Sequence, residues 1–185
     1  MSGHNKWSQI KNKKGVADVK RGKVFSKLLR AISIAAKTEP NVQFNPRLRS
    51  AVDTAKEYLV PLDNIERAIS KASDQKDLSE MVIEAYGPEG SAIIIEAITD
   101  NTNRTISEVK KILSDHDAKF ANQGSVLWAF SAEGGSASGG DAKWKAKFPQ
   151  AISEESNAKL ERLIEALDEH DDVQNIFTNV KELAD

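Results

Sequence analysis

The chain has 185 residues and no cysteine, and sets 26 lysines and arginines against 28 aspartates and glutamates. That length can bury the core of one ordinary domain or two small ones, and the missing cysteine excludes a disulfide framework, a thiol nucleophile and a cysteine-ligated metal or iron–sulfur site. The longest apolar runs, Ala31–Ala36 and Ala92–Ile95, are far too short to cross a bilayer, and no signal-peptide segment follows the basic N-terminus, so the sequence reads as intracellular.

Met1–Gly15 is polar and basic, holds Trp7 and shows no clean period; it is expected to be an arm that orders on a partner. From Ala17 to Lys37 the spacing predicts a helix. Val24, Phe25, Leu28, Leu29, Ala31, Ile32, Ala35 and Ala36 share an arc of roughly 160°, and Lys20, Lys23, Lys27, Arg30 and Lys37 share another of about 100°. Arg21 and Ile34 fall on the opposite sides to their kind. Asn45-Pro46 is a cap followed by proline at the first helical position; the helix it opens carries Leu48, Ala51, Val52, Ala55 and Leu59 and stops near Pro61. Asp63 is placed to cap a short third helix with Ile65, Ala68 and Ile69, and the polar stretch Ser73–Ser79 marks a domain boundary.

Beyond it the pattern changes. Met81–Tyr86 and Ser91–Thr99 are β-rich runs joined by Gly87-Pro88-Glu89-Gly90, which predicts a hairpin. Thr105 and Glu108 have capping-box spacing at the start of a helix through Ile106, Val109, Ile112 and Leu113. Ser125–Phe130 reads as a third strand, the glycine- and serine-rich segment 131–142 as a linker, Glu154–Glu169 as a helix and Val173–Phe177 as a fourth strand. The expected fold class is α+β. An N-terminal helical domain over 1–76, three helices plus the basic arm, precedes an α+β sandwich over 77–185 with about four strands and two helices on one face.

The net charge of −2 is a cancellation across that boundary. Residues 1–76 hold 16 basic side chains against 7 acidic, and residues 77–185 hold 10 against 21. Within 1–37 ten basic residues face one acid, Asp18. Such asymmetry points to a polyanion partner for the first half. Lys6, Lys11, Lys14, Lys20, Arg21, Lys23, Lys27 and Arg30 are the candidate phosphate contacts, with Trp7 free to stack on a base; the plain alternative is a solvated helix face. Lysine outnumbers arginine, which favours backbone contact over bidentate base reading. A secondary polar site, Asn101, Asn103 and Arg104, lies between a strand end and a helix start, where an anion could be held; ordinary turn and capping roles also account for these residues. His116 with Asp115 and Asp117, and His170 with Asp171 and Asp172, would make a metal site only if they converged. Their spacing gives no such indication, and a histidine at a helix C-terminus has an electrostatic reason to be there. No metal or cofactor is expected. Phosphate loops, dinucleotide fingerprints, nucleophile elbows and zinc-protease motifs are absent, and the carboxylates of the second half read as an acidic surface.

The order of motifs resembles the YebC family: Gly3-His-Asn-Lys-Trp7, Ile10-Lys11, Lys20-Arg21-Gly22-Lys23, Phe25-Ser-Lys27-Leu28, Asn45-Pro-Arg47-Leu-Arg49, Pro61 through Ile69, Tyr86-Gly-Pro-Glu-Gly90, Thr99 through Thr105 and His170 through Ile176. The resemblance implies a cytoplasmic, non-enzymatic regulator of gene expression, built as a helical domain followed by α+β domains. Bacterial members are usually labelled DNA-binding transcriptional regulators; mitochondrial relatives act as translational activators, and ribosome-linked roles are proposed for bacterial members too. The implied partner is nucleic acid, DNA or ribosomal RNA, and by extension the ribosome, with no membrane. A protein-interaction adaptor whose basic patch docks an acidic partner is the reading from another class. The chain departs from the family where a further α+β domain is usual: between the strand corresponding to Ser125–Phe130 and the final helix it holds only the linker and Lys143–Gln150.

Overall fold

The computed structural model describes residues 18–74, 77–133 and 143–181. These divide into two compact units. One runs through Ser79 and takes in Ile98–Asn101; the other holds Glu80–Ala97 and Thr102 onward.

The first unit is helical. Helix α1 (Asp18–Ala36), α2 (Pro46–Glu57) and α3 (Leu62–Ser70) follow one another. The predicted stripe forms the core: Leu28, Ile32, Ala35 and Ala36 pack with Leu48, Val52, Ala55, Val60 and Ile65. Asn45 caps α2 as expected, its Oδ1 accepting from the Leu48 N–H at 2.9 Å. Its amide also donates to the Ala35 and Glu39 carbonyls at 2.9 and 2.6 Å. One buried side chain thus ends α1 and begins α2, satisfying backbone groups that helix ends leave open. Helix α2 closes with Leu59 in the left-handed region at φ 60°, and the Val60 N–H reaches back to the Ala55 carbonyl. Glycine normally takes that place. Asp63 is not a cap: α3 starts after Pro61 without a side-chain cap, and Asp63 sits in its first turn, where it still meets the positive end of the helix.

The second unit is an antiparallel sheet in the order β3-β1-β2-β6, with β1 Ser79–Tyr86, β2 Ala92–Thr99, β3 Lys119–Ala121 and β6 Val173–Thr178. Helices α4 (Thr102–Asp115) and α5 (Glu154–Asp168) cover one face. There Ile83, Ala85, Ile93 and Ile95 meet Val109, Leu113, Leu160, Leu163, Ile164 and Leu167. The opposite face is covered as well. A separate ladder, β4 (Phe130–Glu133) with β5 (Lys143–Ala146), and the turn before it place Val126, Ala129, Phe130 and Trp144 on Ala92, Ile94 and Phe177. Burial from both sides explains why every residue of β2 is buried and why it reads as a continuous apolar run.

Three expectations change here. The third strand is Lys119–Ala121, paired with Glu84–Tyr86 of β1, while Leu127–Ala129 is a 3₁₀ turn. Ser131–Glu133 of the expected linker is strand; the rest of the linker, 134–142, lies outside the described residues. Helix α4 begins at Thr102, so Thr105 and Glu108 lie inside it rather than forming a capping box.

Two carboxylates expected at the surface are core fasteners. Glu84, 3% exposed, accepts the N–H groups of Gly124, Val126 and Leu127 at 2.5, 2.6 and 3.0 Å. Glu96 accepts from Trp144 Nε1 at 2.8 Å and Asn175 Nδ2 at 2.9 Å. Both lie on the sheet face away from the helices and pin its cover in place; a buried charge is tolerable where donors surround it. The hairpin turn carries another bonded carboxylate, this one at the surface. Glu89, at φ 54°, accepts from the Ser153 hydroxyl and N–H at 2.6 and 3.1 Å, and these bonds to Ser153 hold its carboxyl below the usual glutamate range. Ser153 is the N-cap of α5, so the carboxylate sits where a helix start favours negative charge.

Candidate nucleic-acid interface

Of the residues expected to meet phosphate, Lys6, Trp7, Lys11 and Lys14 lie outside the described residues, and Lys20 and Arg21 are described only as part of the α1 backbone. The remainder are not equivalent. Lys23 is half-buried, Lys27 is buried at 5% exposure, and Arg30 is half-buried. Arg30 donates to the Ile98 carbonyl at 3.4 Å, and Lys37, also on the predicted basic arc, donates to the Leu78 carbonyl at 2.7 Å. Helical period alone puts these cations on one arc, but the C-terminal part of that arc is engaged within the unit. Any cationic face of α1 therefore lies toward its N-terminal turns.

The secondary polar site resolves differently. Asn101 ends the loop after β2, its N–H donating to Thr99 Oγ1 at 2.9 Å; Asn103 is exposed in the first turn of α4. Arg104 is paired within the protein: its Nη2 lies 2.8 Å from Asp172 Oδ2 and its Nε 3.9 Å from Glu108 Oε2. Thr105 Oγ1 donates to the same Asp172 oxygen at 2.7 Å. Asp172 is 2% exposed, so Arg104 and Thr105 supply the charge and the donor that a buried carboxylate requires.

The two histidine clusters do not meet as pairs; instead His170 and Asp172 meet Glu108 of α4, with donor atoms all within 4.8 Å. These are the residue types of a divalent-cation site. Each donor is already engaged, however. His170 Nε2 lies 2.8 Å from Glu108 Oε2, His170 Nδ1 accepts the Asp172 N–H at 3.1 Å, and Asp172 holds Arg104 and Thr105. The Nδ1 contact leaves the neutral imidazole's proton on Nε2, directed at Glu108. A guanidinium supplies the positive charge, and the cluster works as a clasp between α4 and the turn before β6. His116 is separate: its Nδ1 lies 2.9 Å from the Ile112 carbonyl in the last turn of α4, the helix-end role expected of it. Among the described residues no helix is long and apolar enough to cross a membrane.

Sequence reasoning missed one group. Trp128, read as part of a strand, is 63% exposed, and Phe148 beyond the linker is 58% exposed; their ring centroids are 5.6 Å apart. No local pattern signalled it: the alternation Lys143-Trp144-Lys145-Ala146-Lys147-Phe148 puts Phe148 in phase with Trp144, which is buried.

Comparison with known proteins bears on all of this. The family described as the TACO1/YebC protein N-terminal domain matches residues 5–75, and the TACO1/YebC second and third domain matches residues 78–137 and 136–180. A probable transcriptional regulatory protein of Desulfosudis oleivorans is 41% identical over 192 residues, covering 99% of this chain and 73% of that protein. A second, from Trichlorobacter lovleyi, is 49% identical over 140 residues, 72% of this chain and 56% of that one. The chain thus spans roughly half to three quarters of the length of these relatives. The crystal structure of a conserved hypothetical protein from Aquifex aeolicus superposes with a TM-score of 0.84 at 31% identity, covering 97% of this chain and 98% of that one.

Proposed function

The chain belongs to the TACO1/YebC family, and from that premise we propose that it is a cytoplasmic, non-enzymatic regulator of gene expression that binds nucleic acid through its N-terminal unit. One observation carries the reading: within residues 1–37 ten basic side chains face a single acid, in a chain whose net charge is only −2. Relatives of similar sequence are named probable transcriptional regulatory proteins, which agrees with it. The contact set is Lys6, Lys11, Lys14, Lys20, Arg21 and Lys23, with Trp7 stacking. Lys27, being buried, is left out, and Arg30 contributes chiefly to the fold through Ile98. The remaining unit, with its excess of acids, disfavours misplaced contacts with a polyanion and so sets orientation.

Whether the polyanion is duplex DNA or ribosomal RNA divides a transcriptional from a translational role. The preponderance of lysine favours contact with phosphate and shape in either. The test is a salt titration of the full chain on duplex DNA and on a structured ribosomal RNA fragment. Six neutralised phosphates predict a log–log slope of about −5 on duplex, and reversing Lys20 and Lys23 to glutamate should shallow it by about 2. Flat salt dependence on both ligands would sink the proposal. Crosslinking in cells then separates the roles: reads dominated by ribosomal RNA favour translation, and reads at promoter DNA favour transcription.

A further inference from the structure

We infer that the second unit carries its own site for unpaired nucleobases, an aromatic surface formed by Tyr86, Trp128 and Phe148 with Lys119 and Lys147 beside it. The inference rests on the proposed ligand class but places contact on a different unit from the basic helix.

Exposed hydrophobic side chains scattered singly need no explanation, but a contiguous group does. Among the described residues of this unit the exposed large hydrophobics are Tyr86, Phe120, Trp128 and Phe148, all of them aromatic. Two of them converge on one point and a third packs against the second. Tyr86 Oη and Trp128 Nε1 both donate to the Ser125 carbonyl, at 3.2 and 2.7 Å, and the Phe148 ring is tilted 45° against Trp128. That point is held from below. The N–H groups on both sides of Ser125 are fixed on buried Glu84, and the Lys147 N–H on the Ala129 carbonyl at 2.8 Å fixes the chain leading to Phe148. Rings held this way lose little entropy when a ligand arrives. Their polar edges are already spent on protein, so what remains to offer is π surface. A planar partner can stack there, with little hydrogen-bond reading of its edge.

Charge decides between partner classes. Although residues 77–185 carry twice as many acids as bases, six of their ten basic residues, Lys110, Lys111, Lys119, Lys143, Lys145 and Lys147, fall within 110–147, against four acids. Lys119 is the strand partner of Tyr86, Lys147 precedes Phe148, and both are exposed. Lys110 and Lys111 belong to α4 on the opposite face of the sheet, where Lys110 Nζ sits 4.4 Å over the Phe120 ring and Lys111 pairs with Asp115, so they do not border this surface. Protein–protein interfaces favour aromatics but are depleted of lysine. Aromatic faces bordered by lysines suit a single strand, whose bases stack while its phosphates are neutralised.

The test measures anisotropy of a labelled oligouridylate and of a labelled duplex DNA with the full chain and three variants. Trp128→Ala with Phe148→Ala should weaken oligouridylate binding roughly 10-fold or more, from the worth of base–aromatic stacking, and leave duplex affinity within about 2-fold. Trp128→Phe, which keeps a ring, should retain most of the single-strand affinity. Lys23→Glu on α1 should weaken duplex binding. Circular dichroism and thermal melting confirm that the variants fold. Unchanged oligouridylate affinity in the double variant would overturn the inference, and so would an equal loss on duplex. Failure of Lys23→Glu to change duplex binding would count instead against the N-terminal contact set.

Discussion

Glu84 offers the sharpest test of how the second unit is held together. Its two carboxylate oxygens take three backbone N–H groups, Gly124 on one and Val126 and Leu127 on the other, at a site 3% exposed. Glu84→Gln keeps the shape but leaves one accepting oxygen. The amide does best with that oxygen toward Val126 and Leu127, and its NH₂ then faces the Gly124 N–H. The loss is one charge-assisted hydrogen bond, about 1.5–3 kcal/mol, together with the cost of a buried donor facing a donor, about 1–3 kcal/mol; partial relaxation brings the expected total to about 2–4 kcal/mol. For a unit of this size that is a fall in Tm of about 10 °C or more. Denaturant unfolding followed by tryptophan fluorescence reads it, since Trp128 and Trp144 both belong to this unit. Amide exchange at Gly124–Leu127 should rise with it. Glu165→Gln on the exposed side of α5 is the control and should stay within about 0.5 kcal/mol. If Glu84→Gln behaves like the control, the account of the turn as fastened by a buried carboxylate is wrong.

Three further outcomes follow from the same geometry. Leu59→Gly should stabilise the helical unit by about 0.5–1 kcal/mol in chemical denaturation, because Leu59 is 78% exposed yet held at φ 60°, where glycine avoids a steric cost that exceeds its entropic one; a destabilisation would show that the side chain is buried in solution. Asp172→Asn should cost about 2–4 kcal/mol, since it removes the charge opposite Arg104 and weakens the Thr105 bond, and a melt indistinguishable from the parent would refute the clasp. The Glu89 carboxyl is held below its ordinary range by Ser153, so its stabilisation is present above the unfolded-state pKa and disappears as pH falls through the lower folded value. Glu89→Gln should therefore lower Tm at neutral pH and converge with the parent in strong acid; a constant gap across pH would contradict the assignment.

The helical unit was legible because its determinants are local. Asn45-Pro46 fixes a helix start through one side chain and one ring, and the 3.6-residue stripe of α1 names its own buried face. The predicted strand over Ser125–Phe130 failed for a reason the sequence conceals. Val126, Ala129 and Phe130 are buried against the sheet's second face while Trp128 is exposed, a spacing of three and four that suits a 3₁₀ turn, whereas the true edge strand is three residues long and begins with lysine. Edge strands are often short and charged, which removes the signal that would identify them.

Charge was legible only as a total for each region. The sequence determined by itself that the first half is cationic, the second anionic, and that no thiol chemistry is present, because composition survives any fold. Which charges remain at the surface was a tertiary decision. Lys27 and Arg30 share an arc with Lys23, yet Lys27 is buried and Arg30 bonds to Ile98; Glu84, Glu96 and Asp172 sit among ordinary surface carboxylates in sequence but are buried in the fold. A charge is buried only where donors from distant segments converge on it: the partners of Glu84 lie about forty residues away, those of Glu96 up to 79, and those of Asp172 nearly seventy. No local pattern in the chain encodes such convergence, because the strand order that creates it exists only once the sheet has formed.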